Sequence, residues 1–268
     1  MNKLADMHTH SRYSHDSVCE IEDMLLAQRE KGAAVFAVTD HFDCHSFERY
    51  DIYTPIQNAE QTVRQLNEKY GENPLTLAGI EIGEASFYPE VYAKMRNLAN
   101  YDVIIGSVHL VRNEVVARTD FSVFSADAVT EYMNEYFDDL FVMADTIDID
   151  VVAHLTFPLK YINGKYNIGF DIGLCKGKIE KVLSKIIEKG IALEVNTSSY
   201  SVLGDFMPPK DILKTYYDMG GHLITLGSDA HVAEKASNHF DKAVEVIKEI
   251  GFKNVYYYKS RKPYPIII

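Results

Sequence analysis

Seven short apolar runs, each followed at once by a histidine or a carboxylate, limit what this chain can fold into. The runs are residues 4–7, 34–38, 75–80, 103–107, 149–153, 191–195 and 223–227. They are rich in Val, Ile and Leu, lack proline and mostly lack alternation, as strands buried on both faces do. Helical spacing fills the intervals. Ile21, Met24 and Leu25 repeat at i, i+3 and i+4 before Gly32, and Val182, Ile186 and Ile187 do so before Gly190. Ser125 reads as an N-cap, and Pro208-Pro209 open a helix that stops at Gly220-Gly221. Strands alternating with helices imply a parallel sheet. Seven such units in 268 residues predict a distorted (β/α)7 barrel, one domain over residues 1–268. The last stretch, 255–268, is expected to pack across the barrel or its open side.

The residues after each run carry the chemistry. They are His8 and His10; Asp40 and His41; Glu81; His109; His154; Glu194 and Asn196; and Asp229 and His231. In a parallel barrel these strand ends converge on one face. Residues i and i+2 of a strand point the same way, so His8 and His10 can chelate one ion and Asp229 and His231 can face the same cluster. A carboxylate such as Glu81 can bridge two ions. One histidine at a strand end is ordinarily a hydrogen-bonded structural residue. So many polar groups converging would destabilise the barrel mouth unless metal or substrate satisfied them. A site for several metal ions is therefore expected. His45, His222 and His239 are read as surface or structural residues, and Tyr256-Tyr257-Tyr258 as packing. Asp138-Asp139 is assigned to a solvated helix face, and Asp148 and Asp150 have no special claim.

Composition excludes several classes. A net charge of −12 repels a phosphate backbone, so nucleic acid is disfavoured as a partner, while a small phosphorylated metabolite at a metal site is not. Cys19, Cys44 and Cys175 form no C-x-x-C pair and predict no disulfide framework. Met1-Asn2-Lys3-Leu4 lacks the apolar stretch of a secretion signal, and no run approaches the ~18 apolar residues of a membrane span, so the cytoplasm is the expected compartment. Oligomeric state is not legible.

The motifs His8-Thr9-His10, Thr39-Asp40-His41, Gly79-Ile80-Glu81, Ser107-Val108-His109, Ala153-His154 and Gly227-Ser228-Asp229-Ala230-His231 resemble, in order and almost end to end, the PHP (polymerase and histidinol phosphatase) family. The segments Glu194-Val195-Asn196-Thr197-Ser198, Pro208-Pro209 and 224–231 look most like its histidinol-phosphatase branch. The resemblance implies three divalent ions, zinc with manganese or iron as alternatives. His8, His10, Glu81 and Asp229 would hold the first; Glu81, His109 and His154 the second; His15, His41 and His231 the third. The family often carries Ser-x-Asp-Gly where this chain has Ser14-His15-Asp16-Ser17, so Asp16 rivals His15. The implied reaction is hydrolysis of L-histidinol phosphate to L-histidinol and phosphate, in histidine biosynthesis. Glu81 would bridge the ions that activate water, and Asp229 and His231 would handle protons. Arg118 or Lys160 would bind phosphate, with Arg12 a third cation. Asp40, Glu194 and Asn196 would support the ligands from behind. Rival readings are a related phosphatase for phosphotyrosine, nucleotide or sugar phosphate; a metal-dependent amide or ester hydrolase; and a non-catalytic scaffold, which lost ligands would reveal. An exonuclease is disfavoured by the lack of basic clusters.

Overall fold

The structure, a computed structural model, describes residues 4–47 and 51–268; the reading of Met1-Asn2-Lys3 lies outside them. All seven expected strands form: β1 (Ala5–Thr9), β2 (Val35–Val38), β3 (Leu75–Gly83), β4 (Val103–Ser107), β5 (Val151–Val152), β6 (Ala192–Asn196) and β7 (Ile224–Gly227). They pair in parallel and in chain order. A parallel bridge between Thr9 and Ala230 draws β7 back to β1. There the His10 amide donates to the Ala230 carbonyl (2.9 Å) and the Asp229 amide to that of His8 (2.8 Å). The sheet is thus a nearly closed seven-stranded barrel. Among the described residues no helix is long and apolar enough to cross a membrane.

Alternation sets the layers. Ala5, Met7, Val35, Ala37, Leu77, Val103, Ile105, Val151, Ala153 and Ala192 form one buried cluster, with Tyr258 packed in it. The residues between them, such as Phe36, Ile80, Ile104 and Leu193, belong to clusters shared with the helices. The helices carry the expected stops and caps. In α1 (Ile21–Glu30), Ile21, Met24 and Leu25 are buried. After α2 (Tyr53–Tyr70) and α3 (Pro89–Met95) comes α4 (Ala126–Thr146), whose cap Ser125 accepts from the Ala128 amide. Gly190 ends α5 (Lys176–Lys189) in the left-handed region at φ 66°, where glycine carries no Cβ penalty. Pro209 caps α6 (Lys210–Asp218), and α7 (Phe240–Ile250) follows. Asp138, on α4, is exposed and pairs with Lys178 of α5.

Three strands differ from expectation. The first runs on to Thr9, so His8 lies within it. The fifth narrows to Val151–Val152. The third runs on past residue 80 to Gly83, because an extra strand, His41–Asp43, pairs with its end and sets His41 opposite Glu81. Glu81 is therefore within a strand rather than after one.

The C-terminal stretch is an antiparallel hairpin, β8 (Asn254–Lys259) and β9 (Lys262–Ile267). Its turn reaches residues just ahead of β4 and β5. The Ser260 and Arg261 amides donate to Asp102, and the Arg261 guanidinium pairs with Asp150 and Asp148. The hairpin thus packs across the N-terminal end of the barrel, away from the strand ends that carry the histidines. Of the tyrosines read as packing, Tyr258 is buried there. Asp148 and Asp150 are latch residues.

Candidate metal centre

Glu81 is the hub of the mouth, and its two oxygens face different histidines. Oε2 lies 3.0 Å from His41 Nδ1, 3.2 Å from His8 Nε2 and 3.5 Å from His10 Nε2. Oε1 lies 2.8 Å from His154 Nε2 and 3.2 Å from His109 Nε2. His8 and His10 converge to 3.1 Å between their Nε2 atoms, and Asp229 Oδ1 is 3.3 Å from that of His10. Three groups bring their donor atoms close enough to hold an ion: His8, His10 and Asp229; His41, Glu81 and His109; His10, His41 and His231.

Local backbone distortions make this convergence possible. The β1–β2 ladder shifts register between Asp6 and Thr9, so Met7 packs in the barrel interior while its neighbour His8 reaches the mouth. Bulges of this kind re-aim side chains beside active sites. His154 and Asp229 both have positive φ (23° and 53°), a strained conformation for residues with a Cβ. Gly227 must be glycine for another reason. A Cβ there would lie 2.0 Å from Glu194 Oε1 and 2.7 Å from His8 Cβ.

Buried polar groups fix the imidazoles from behind. His8 Nδ1 donates to Glu194 Oε1 at 2.6 Å, which leaves Nε2 free to face the centre. Glu194 Oε2 accepts from the His154 amide (2.6 Å) and from the Asn196 side-chain amide (3.1 Å). Asp40 acts on His10 rather than on its neighbour His41. It accepts from Ser14 Oγ (2.9 Å), which in turn accepts from His10 Nδ1 (3.0 Å) and from the His41 amide (3.0 Å).

Electrostatics show how much negative charge the centre must neutralise. Burial disfavours a charged Glu81, but His41, His8 and His109 outweigh it and hold its pKa well below the ordinary value. Asp229 is likewise held low against burial, by His8 and His10. Burial also opposes charge on His109, yet Glu81 and Asp43 raise it to about 10. His10 is lowered to about 3, by burial and by His41 and His231. The carboxylates are thus balanced by protons on imidazoles, a role that divalent cations can take over with release of those protons. Donor chemistry and vacant atoms both suit such ions. His41 Nδ1 and Glu81 Oε2, 3.0 Å apart within the cluster, are buried without a hydrogen bond, which is costly unless a ligand satisfies them.

Some expected residues sit elsewhere. His15 is 67% exposed, with Nδ1 3.9 Å from Asp43 Oδ2; like Asp16 and His154 it lies outside the three groups. The rival Asp16 instead lies between His231 Nε2 (3.1 Å) and His41 Nε2 (3.5 Å). The first-loop turn, in which the Ser14 amide donates to the Ser11 carbonyl, brings in the residue after His15. Lys160 reaches the cluster through Ser198: its Nζ is 3.4 Å from Ser198 Oγ, which donates to Asp229 Oδ2 at 3.2 Å. Arg118 is exposed and makes no hydrogen bond or ion pair among the described residues. Arg12 pairs with Glu20 on the surface. His45 pairs with Glu84, His222 packs against Tyr217, and His239 meets Ser201.

The sequence reading missed Asp43 and Glu84. Asp43 Oδ1 is 3.1 Å from His109 Nδ1 and steadies that ring. Its i+2 spacing from His41 was the available signal. Glu84 accepts from the amides of His109 and Leu110 (2.6 and 3.0 Å) and left no signal, because it acts on backbone.

Gly227→Ala is expected to displace Glu194 from His8. Metal affinity or activity should fall roughly 10- to 100-fold, read by metal titration. Gly177→Ala, where a Cβ meets nothing within 4 Å, should leave both unchanged.

Fold and centre together define a parallel barrel whose strand ends can hold several metal ions. The pattern of the PHP domain matches residues 6–198, and the chain belongs to the PHP family. A probable histidinol-phosphatase of Thermotoga maritima is 26% identical over 93% of this chain and 94% of its own length. A histidinol-phosphatase of Lactococcus lactis is 25% identical over 98% of this chain and 96% of its own. The crystal structure of histidinol phosphate phosphatase from Lactococcus lactis, complexed with zinc, L-histidinol and phosphate, superposes with a TM-score of 0.81. It covers 98% of this chain and 99% of its own, at 22% identity.

Proposed function

We propose that this protein is a metal-dependent histidinol-phosphatase, hydrolysing L-histidinol phosphate to L-histidinol and phosphate. The observation that carries the reading is the complete cluster around Glu81, in a chain that aligns over nearly its whole length with relatives named for that activity. His8, His10, Glu81 and Asp229 would hold one ion, and Glu81, His109 and His154 a second. His41 and His231 would hold a third together with Asp16, which the geometry favours over His15. Zinc suits imidazole-rich sites, and manganese or iron could replace it.

Divalent cations held by these residues would supply Lewis acidity to the phosphoryl group and lower the pKa of bound water towards neutral. The chain's own groups do the positioning. Glu194 holds His8 in the tautomer that presents Nε2, and Asp43 does the same for His109. The Lys160 ammonium, next to Ser198 and Asp229, is the phosphate-binding cation; Arg118, exposed in the turn after β4, lacks that link. Asp229 Oδ1 faces His10 and Oδ2 accepts from Ser198; held ionised against burial by His8 and His10, the carboxylate would accept a proton from water rather than carry one to the leaving alkoxide. His231, partly exposed at the rim and held protonated against burial by Asp16 and Asp229, is the proton donor for that alkoxide.

The test is phosphate release from a panel: L-histidinol phosphate, a phosphotyrosine peptide, nucleoside monophosphates and sugar phosphates. A kcat/KM for histidinol phosphate of about 10⁴ M⁻¹ s⁻¹ or more, far above the others, is expected. Uniformly weak rates would leave the metal centre standing and remove the substrate assignment.

A further inference from the structure

One wall of the mouth is aromatic and is not used by the metal centre or by the phosphate. The chain leaving β5 turns sharply at His154 and then runs into a π-helical turn, Lys160–Lys165, closed by the Tyr166 amide on the Tyr161 carbonyl (2.9 Å). Turns of this wide kind recur at functional sites, where they displace side chains from helical spacing. Lys160 and Tyr161 are the first two residues of that turn. Phe157 packs against His154 and His109, with ring centroids 4.8 and 5.5 Å apart, and Tyr161 meets Phe157 edge-on at 5.4 Å. Tyr161 therefore continues an aromatic surface outward from the metal-binding histidines.

Its environment points inward. Lys160, its neighbour, is tied through Ser198 to Asp229. Burial raises the Tyr161 phenol, and the carboxylates of Asp229 and Asp16 add to that. Among the described residues the Tyr161 hydroxyl has no hydrogen-bond partner. The side chain is half-buried: one side packs with Phe157 against the main hydrophobic core, and the rest stays accessible. A ring so placed offers a face or edge to a planar group, and such contacts contribute beyond the area they bury.

We infer that Tyr161, backed by Phe157, contacts the planar heteroaromatic end of the leaving group and sets the enzyme's preference for a phosphate ester carrying such a ring. Lys160 and the metal centre take the phosphate, and the adjacent tyrosine takes the far end of the alcohol. This inference rests on the histidinol-phosphatase reading.

The experiment compares kcat/KM for L-histidinol phosphate with that for L-alaninol phosphate, which keeps the amine and phosphate and lacks the imidazole. Wild type, Tyr161→Phe, Tyr161→Leu and Tyr161→Ala are measured with metal content and Tm recorded. The ratio of the two kcat/KM values should fall about tenfold in the Leu and Ala variants and hold in the Phe variant, with metal content unchanged in all. An equal loss on both substrates, or an unaltered ratio, overturns the inference. Failure of the functional reading has a different signature: wild type itself shows no preference for histidinol phosphate. The Leu variant keeps side-chain bulk, so a folding defect confined to Tyr161→Ala leaves the test decisive.

Discussion

Glu81→Gln should lose roughly a thousandfold or more in kcat/KM for the phosphate ester and should retain fewer metal ions per chain. The substitution keeps shape and removes charge. That charge is buried and faces five imidazoles, three at Oε2 and two at Oε1. A neutral amide can offer an acceptor to one set only, and its NH2 group would point at ring nitrogens of the other. Steady-state kinetics beside elemental analysis of the purified variant gives the answer. Full activity with full metal content would show that Glu81 does not bridge.

The second large effect is expected at Glu194, which meets no ion in this account. Glu194→Ala removes the acceptor of His8 Nδ1 and also that of the His154 amide. His8 is then free to take the wrong tautomer, and a buried amide at a strained backbone position loses its partner. A drop of about 100-fold in metal affinity is expected, near the upper end for groups that orient a ligand. Glu194→Gln should be milder, since its amide oxygen can still accept one of the two bonds. Competition with a chromophoric chelator reads the affinity directly. An affinity equal to wild type in Glu194→Ala would remove the orienting role. Gly227→Ala should resemble it, because the added Cβ occupies the place of Glu194 Oε1.

The barrel was legible in the chain because each strand is a buried apolar run and each helix carries its own stop. Gly32, Gly190 and Ser125 sit where those signals placed them. The centre was largely legible for a related reason. A residue after a parallel strand falls on one rim of the barrel, so listing strand ends lists the rim. What escaped acts through geometry finer than spacing. The bulge in β1 that lets both Met7 and His8 face inward depends on how β1 pairs with β2, and one sequence shows no pairing. The extra strand His41–Asp43 is three residues long with two of them polar, too short for a periodic signal, yet it carries β3 through Glu81 and delivers Asp43 to His109. Asp16 rather than His15 lies beside His231 and His41 because of the direction of a loop, which adjacent residues cannot reveal. Lys160 and Arg118 looked equivalent as cations after strands four and five, and only the π-helical turn brings Lys160 to Ser198. Asp150 looked idle because its partner, Arg261, is 111 residues away on the closing hairpin.

The most direct test of the account is kcat/KM for L-histidinol phosphate on protein stripped by a chelator, shown metal-free by elemental analysis, and then titrated with zinc. The account predicts no measurable turnover when stripped and recovery that tracks metal bound per chain. Undiminished hydrolysis by the metal-free protein would contradict it.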